Sequence, residues 1–255
     1  MNSCEATVLA IDIGSTRTHM GVVDIKKLIC LSKGEFNNTE FNNLFVDTVK
    51  KITFNHQISK TNISSCVKEL GIQAKQLCAC FGLGKIEIIK AHDALAVEFK
   101  YENPEKLGAD RICNALACAL LFKNQNCVII DCGTAVTIDY LRKGKIFEGG
   151  VIFAGTATHA ASLHKQTDSL PLVNFDNSGA PALPANSTTT CITAGILYAT
   201  AGAIDRCIEE YRNIHGKGLA LIATGGGWEI IKPLLKHKRQ ITDATELTLV
   251  GAGVY

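Results

Sequence analysis

Two stretches of this chain repeat each other. Val8-Leu9-Ala10-Ile11-Asp12-Ile13-Gly14-Ser15-Thr16 near the start is matched, about halfway along, by Cys127-Val128-Ile129-Ile130-Asp131-Cys132-Gly133-Thr134-Ala135. Each is an apolar run that ends in Asp-x-Gly-Ser/Thr. Each is followed by two more strand-like runs. His19–Asp24 and Leu28–Ser32 follow the first, parted by Ile25-Lys26-Lys27; Val136–Leu141 and Lys145–Phe153 follow the second, parted by Arg142-Lys143-Gly144. Both copies therefore predict a strand–turn–strand–turn–strand meander. One Asp-x-Gly-Thr arises by chance in many proteins. Two copies at matching places in matching meanders imply a duplicated domain.

Helical spacing fills much of the remainder. Residues Asp110–Phe122 bring Ile112, Cys113, Leu116, Ala119 and Leu120 to one face, and Cys191–Tyr211 does the same from Ile192 through Ile208. Asn186-Ser187-Thr188 are N-cap candidates for the second of these. Thr39–Ile52 is an earlier helix candidate, and Ile86–Ile89 and Leu219–Ala223 are short strand candidates. Strands alternating with helices indicate an α/β protein. The boundary between halves falls between Leu107 and Asn126, giving domains at residues 1–112 and 113–255.

Bulk properties remove several classes of function. The 255 residues are 47% hydrophobic and 20% charged, enough for one large or two medium domains with real cores. A net charge of +2 gives no reason to expect nucleic acid or a membrane surface as partner, and His237-Lys238-Arg239 reads as a solvated helix end. No stretch is expected to span a bilayer, and Cys4-Glu5 followed by the strand-like Val8–Ile11 lacks the basic start and long apolar run of a signal peptide. The chain is expected to be cytoplasmic. Its eleven cysteines are dispersed through apolar segments with no Cys-x-x-Cys, which suits small buried hydrophobes better than metal ligands.

The repeated motif suits phosphate. Glycine allows a sharp turn and admits an anion where a Cβ would obstruct it. The following hydroxyl and backbone N–H groups donate to phosphate oxygens, as in an anion-binding nest. Asp12 or Asp131 can then meet Mg²⁺ or another cation on the nucleotide, directly or through water. Two such turns facing each other would grip a triphosphate, although either aspartate alone could simply cap a turn. Thr224-Gly225-Gly226-Gly227, where a strand ends, permits close approach of a flat ring or sugar, or else makes a tight strand-to-helix turn. In Leu107-Gly108-Ala109-Asp110-Arg111, Asp110 is either a helix cap or a general base that takes the proton of an attacking hydroxyl. Arg111 offers a rigid fork of donors to an anionic or hydroxylated substrate, the alternative being a surface salt bridge.

At these residues the chain resembles the type III pantothenate kinases. The ordered motifs are Asp12–Thr16, Tyr101-Glu102-Asn103-Pro104, Leu107–Arg111, Asp131–Ala135, Gly149-Gly150-Val151-Ile152, Ser169–Val173, Thr188, Thr224–Gly226 and Leu247-Thr248-Leu249. The resemblance covers nearly the whole chain. Its most specific part is Tyr-x-Asn-Pro followed by Leu-Gly-x-Asp-Arg, which other actin-like kinases lack. It implies two duplicated ribonuclease H-like (actin-like ATPase) halves with a nucleotide cleft between them, and transfer of phosphate from ATP to pantothenate as the first step of coenzyme A synthesis. It further implies Asp110 as general base, Asp12 near the Mg²⁺–phosphate group and Asp131 at a monovalent cation, K⁺ or NH₄⁺. Gly14, Ser15, Thr16, Gly133 and Thr134 match the phosphate turns, and Gly225 and Gly226 the nucleotide side. Tyr101, Gly108, Ala109, Asp110, Arg111 and Thr188 match the pantothenate pocket, and a homodimer is implied as well.

Three residues depart from the family pattern: Ser15 for the usual Asn, Ala154 for Pro, and Ala185 for a common Gly. They bear on affinity, loop rigidity and acceptor identity more than on reaction type. Two other readings compete. A sugar or acetate kinase of the same superfamily would share the Asp-x-Gly turns but gives no reason for Tyr101–Pro104 leading into Gly108–Arg111. A non-catalytic nucleotide-binding regulator could dispense with a base, whereas Asp12, Asp110 and Asp131 are all present.

Overall fold

The computed structural model describes residues 7–176 and 178–255; the Cys4-Glu5 start lies outside the described residues. In chain order, β1 (Thr7–Ile13), β2 (Arg17–Asp24) and β3 (Ile29–Asn37) make the first meander. They are followed by α1 (Phe41–Thr53), β4 (Ile58–Ser65), α2 (Lys68–Cys80), β5 (Lys85–Ile88), β6 (Glu98–Phe99) and α3 (Ala109–Leu121). The second meander is β7 (Asn126–Cys132), β8 (Ala135–Arg142) and β9 (Ile146–Ala154). After it come α4 (Thr156–Gln166), α5 (Thr188–His215), β10 (Leu219–Thr224), α6 (Trp228–Ile231), β11 (Ile241–Asp243) and α7 (Leu247–Val254).

The duplication predicted from the motif is present in the topology. One sheet has the order β3-β2-β1-β4-β5 and the other β11-β10-β7-β8-β9-β6. Read from the meander outward, 9-8-7-10-11 repeats 3-2-1-4-5. In each copy the central strand takes a parallel neighbour, and in each the motif aspartate faces a hydroxyl residue on it: Asp12 opposite Ser64, Asp131 opposite Thr224.

By contacts the chain forms two compact units. The first runs up to Asn124 and adds Leu141–Glu148 and Glu246–Tyr255; the second holds Gln125–Tyr140 and Gly149–Thr245. Within the first, Leu9, Ile11, Met20 and Val22 pack against Phe41, Phe45, Val49 and Ile52, which recur at helical spacing along one face of α1. The helix α7 belongs to this unit, and Gly251 sets its distance from α3: a Cβ there would overlap the carbonyl of Cys113. Within the second, Val128, Ile130, Val136 and Ile138 pack against Leu197, Ala201, Ile204 and Ile208 of α5 and against Trp228.

The expected helices exist, with shifted ends. The Thr39–Ile52 segment begins as a 3₁₀ turn (Asn38–Glu40) before α1, and the basic run at residues 237–239 leads a 3₁₀ turn, Lys238–Gln240. Ser187 is the N-cap of α5, in a reciprocal box with Thr190, and Gly216 ends that helix at φ 85°. One expectation needs amending. By length and composition α5 is apolar enough to cross a membrane, but 44% of its apolar window is buried inside the protein, as in a core helix. The ten described cysteines are all free; Cys78, Cys113, Cys118, Cys127 and Cys132 are buried, and Cys66, Cys80 and Cys191 are exposed. Among the described residues no group of three or more His, Cys, Asp or Glu gathers as a metal cluster.

Candidate active site

In the first unit the turn after β1 is the three-residue loop Gly14-Ser15-Thr16, with Ser15 and Thr16 exposed. The Gly14 N–H donates to the Arg17 carbonyl at 2.9 Å. A residue not expected from the sequence, Asn38, clamps this loop. Its side-chain amide donates to the Gly14 carbonyl at 2.8 Å, its backbone N–H to the Thr16 carbonyl at 2.9 Å, and its Oδ1 accepts from the Thr18 hydroxyl at 2.7 Å. Just before the loop, half-buried Asp12 accepts the Ser64 hydroxyl on Oδ1 at 2.8 Å.

Asp110 sits in the first turn of α3. The N-cap position is Gly108, so the reading of Asp110 as a simple helix cap does not hold. Its Oδ1 accepts the Arg111 N–H at 2.8 Å and its Oδ2 the Cys66 thiol at 3.7 Å. Any side chain on Gly108 would place its Cβ 2.5 Å from Asp110 Oδ1, which gives that glycine a direct reason at this position. Pro104 begins the 3₁₀ turn Pro104–Lys106 that delivers the chain to α3. Ala109 is buried at the helix start.

Arg111 is 5% exposed, which removes the surface salt bridge as its explanation. Its guanidinium lies 5.5 Å from the Tyr101 ring and 5.4 Å from the Phe147 ring, and one of its nitrogens is 3.4 Å from the Tyr101 hydroxyl. The two aromatic faces hold the cation and fix its direction. Beneath the acids, the Cys113 thiol is held far above its ordinary range, first by burial and then by the negative charges of Asp12 and Asp110. Both carboxylates thus act on one buried thiol, which places them in one neighbourhood of this unit.

In the second unit the corresponding loop is shorter, Gly133-Thr134, and the Gly133 N–H donates to the Ala135 carbonyl at 3.0 Å. Backbone braces it. The Thr134 carbonyl accepts the Gly155 N–H at 3.0 Å and the Thr158 hydroxyl at 2.6 Å, while the Gly227 N–H donates to the Cys132 carbonyl at 2.8 Å. Gly225 has φ +93°, and a Cβ on it would stand 2.5 Å from Asp131 Oδ1. Gly226 has nothing within 4 Å of where its Cβ would be, which leaves space beside the strand end for a ligand. Burial, then the Asp131 charge, pushes the Cys132 thiol up to about 12. Thr188 is the exposed first residue of α5.

Two copies of this sheet, each with an acid–glycine turn at the end of its first strand, define an actin-like ATPase fold. Solved structures share it at low identity. A Campylobacter jejuni protein assigned to the Baf family of transcriptional activators superposes with TM-score 0.58 at 18% identity, covering 95% of this chain and 94% of the other. A Sinorhizobium meliloti protein assigned as a 2-dehydro-3-deoxygalactonokinase gives 0.58 at 12%, covering 97% and 94%. These establish the fold alone. Within it the chain belongs to the type III pantothenate kinase family, whose model matches residues 8–210. The type III pantothenate kinase of Syntrophus aciditrophicus is 30% identical to it over 96% of both chains.

Proposed function

We propose that this protein transfers the terminal phosphoryl group of ATP to the primary hydroxyl of pantothenate, forming 4′-phosphopantothenate and ADP, the first step of coenzyme A synthesis. The observation that carries this reading is Asp110, fixed at the start of α3 by a backbone N–H and a thiol, beside a glycine that keeps its face open and an arginine locked between two rings. Family membership supplies the acceptor.

The pantothenate hydroxyl attacks the γ-phosphorus, a new O–P bond forms, the bond to the β-phosphate oxygen breaks, and ADP departs. Asp110 takes the hydroxyl proton as its oxygen bonds to phosphorus. Arg111, held by Tyr101 and Phe147, orients the acceptor together with Tyr101, Gly108, Ala109 and Thr188. Gly14, Ser15, Thr16, Gly133 and Thr134 take phosphate oxygens, and Gly225 and Gly226 the nucleotide. A bound Mg²⁺ would neutralise charge on the phosphates. It is commonly bound by one or two carboxylates, phosphate and water rather than by an all-protein cage. Asp12, oriented by Ser64 beside an exposed glycine turn, fits that role. Asp131 is assigned to K⁺ or NH₄⁺, supported by Gly225, whose missing Cβ leaves that carboxylate uncrowded.

A homodimer is part of the proposal. Along α5, Cys191, Gly195, Tyr198, Ala199 and Gly202 are exposed at spacings of three and four, and a Cβ on Gly195 or Gly202 meets nothing within 4 Å. A second copy would cover this apolar face, and Gly195→Arg should then give a monomer by light scattering. Ten free thiols agree with a cytoplasmic, reducing setting.

The test is direct: purified protein with Mg-ATP, K⁺ and pantothenate, with the product followed by mass spectrometry. ATP turnover that leaves pantothenate unmodified under every cation would reject the acceptor. Asp110→Asn should lower kcat on the order of 10²-fold or more, with the KM for ATP little changed. Omission of both K⁺ and NH₄⁺ should depress the rate sharply; indifference to them would remove the role given to Asp131.

A further inference from the structure

The end of β4 lies outside every motif that points to the reaction, yet it touches both acids of the first unit. Ser64 lies near the end of β4 and Cys66 just past the strand's end, and each side chain reaches an acid. The Ser64 hydroxyl donates to Asp12 Oδ1 at 2.8 Å, and the Cys66 thiol donates to Asp110 Oδ2 at 3.7 Å. The Cys66 N–H bonds the Ile13 carbonyl at 2.8 Å, carrying the β1–β4 ladder past Ser65 to the edge of the Gly14 turn. Ser64 is fully buried, and it also hydrogen-bonds the buried Cys113 thiol, which lies one turn along α3 from Asp110. One backbone segment is therefore linked to both carboxylates, to the strand carrying one and to the helix carrying the other.

We propose that the Ser64–Cys66 segment is a two-headed positioning clamp for phosphoryl transfer, with Ser64 setting Asp12 toward the metal–phosphate group and Cys66 setting Asp110 Oδ2 toward the acceptor hydroxyl. This rests on the roles given above to the two acids. Ser64 and Cys66 are positioning residues and take part in no bond making. The physical reason is directional. An unrestrained carboxylate rotates about χ2, while one with a donor on an oxygen, as on Asp12 Oδ1 and on both oxygens of Asp110, keeps its remaining lone pairs along fixed lines. A weak thiol donor at Asp110 orients the carboxylate without competing strongly for the proton that Asp110 must accept.

The two heads predict separate kinetic signatures. Cys66→Ala should lower kcat about three- to tenfold, leave the KM for ATP within about twofold, and move the acid limb of the kcat–pH profile. Cys66→Ser, which restores a donor, should recover most of the rate. Ser64→Ala should instead raise the KM for Mg-ATP about three- to tenfold and shift the Mg²⁺ concentration needed for half-maximal rate. Cys66 is exposed, so its variants should melt as the wild type does, and a lowered rate then reports orientation. A wild-type rate and pH profile in Cys66→Ala overturns the assignment of that head. Equal loss toward both substrates in Ser64→Ala overturns the other.

A thiol-alkylation arm separates failure of the clamp from failure of the proposed reaction. With iodoacetamide, an S–C bond forms at Cys66, iodide leaves and the thiol proton goes to solvent. The neighbouring Asp110 charge opposes the thiolate that attacks, so Asp110→Asn should be alkylated at Cys66 about threefold faster or more at pH 8, read by peptide mass spectrometry. Equal rates would show that the two groups do not meet and end the proposal, whatever the enzyme does with pantothenate. A faster rate in a protein that leaves pantothenate untouched would keep the contact and discard the substrate.

Discussion

The two acid–glycine turns carry the same motif and rest on different foundations. The turn at Gly14–Thr16 adds side chains to its backbone braces: the Asn38 amide, the Thr18 hydroxyl, and Ser64 behind the aspartate. The turn at Gly133-Thr134 is braced almost wholly by backbone, with Gly155 on one side and Gly225 and Gly227 on the other. The strands beside them differ in the same way. The end of β4 reads Ser64-Ser65-Cys66, and the matching end of β10 reads Thr224-Gly225-Gly226-Gly227. Duplication kept the acid–glycine turn and let its surroundings diverge. One copy furnishes the strand end with groups that hold carboxylates; the other strips it to glycine, leaving room at Gly226.

Backbone bracing tolerates substitution least, and there the largest effect is expected. A Cβ on Gly155 would overlap the carbonyl of Gly133 and crowd that of Thr134, neither of which can rotate away. Gly155→Ala should cost about 3 kcal/mol through overpacking against main chain, a Tm fall of roughly 6–12 °C for a chain of this size. Gly226→Ala is the control: with open space around it, its melting point should stay near wild type while the KM for ATP rises. Equal melting points for the two variants would mean that the second turn is not held as described.

On the first turn the expected loss is smaller. Asn38→Ala removes two side-chain hydrogen bonds and leaves the buried Thr18 hydroxyl without that acceptor, at a cost of about 2 kcal/mol in total. Asn38→Asp, which keeps the acceptor for Thr18 and loses the donor to Gly14, should fall between Ala and wild type. A Tm fall in Asn38→Ala as large as in Gly155→Ala would erase the contrast between the two turns.

The same contrast explains which parts were legible in the sequence. The turns announced themselves because an aspartate, a glycine and a hydroxyl at fixed spacing after an apolar run is a local pattern, and its repetition fixed the fold class. The braces did not, because Asn38 and Gly155 act on loops far from them in the chain. The strand β4 was not expected at all. Ile58-Ser59-Lys60-Thr61-Asn62-Ile63-Ser64-Ser65 shows no clean alternation, yet it lies between β1 and β5 with Thr61, Asn62 and Ser64 buried. Three of the buried groups there have partners distant in sequence: the Leu83 carbonyl for the Thr61 hydroxyl, the Ala252 carbonyl for the Asn62 amide N–H, and Asp12 for Ser64, while Asn62 Oδ1 is buried without one. Burial of such groups is stable only with those partners in place, and no short window of sequence displays them. Arg111 shows the converse. Its motif and Tyr101 were legible, but the second ring was not, because Phe147 arrives from β9.

Ser15 offers a gain rather than a loss. It is exposed on the first turn, where the family usually carries Asn, and its hydroxyl reaches less far than an amide would. Ser15→Asn should lower the KM for ATP about threefold, the worth of one modest hydrogen bond, with kcat unchanged. A rise in KM would show that the shorter side chain suits this loop better than the residue common in the family.

The smallest expected difference between the two turns is in their response to acid. His19 stands opposite Asp12 in the β1–β2 ladder, with its ring 3.1 Å from Glu35 and Arg17 on the same carboxylate. Burial lowers its pKa, the Glu35 charge works against that shift, and Arg17 works with it. Unfolded, the ring titrates near 6.5; folded, it takes its proton only at lower pH. The stability it lends is therefore full above about pH 6.5 and is lost as the pH falls from there through the lowered folded value. With the side chain 40% exposed, screening leaves about 0.3 kcal/mol. Near the second turn the titrating support is Asp243, held below the usual carboxylate range by Lys232 and then by the Trp228 indole N–H. Its contribution persists above about pH 4 and fails only below that. Between pH 7.5 and 5.5, hydrogen exchange corrected for intrinsic rate should rise at residues 14–19 and stay level at residues 225–228. His19→Gln should flatten the first response. Faster opening at 225–228 over that range would place the acid-sensitive support on the glycine-braced side, the reverse of what these side chains dictate.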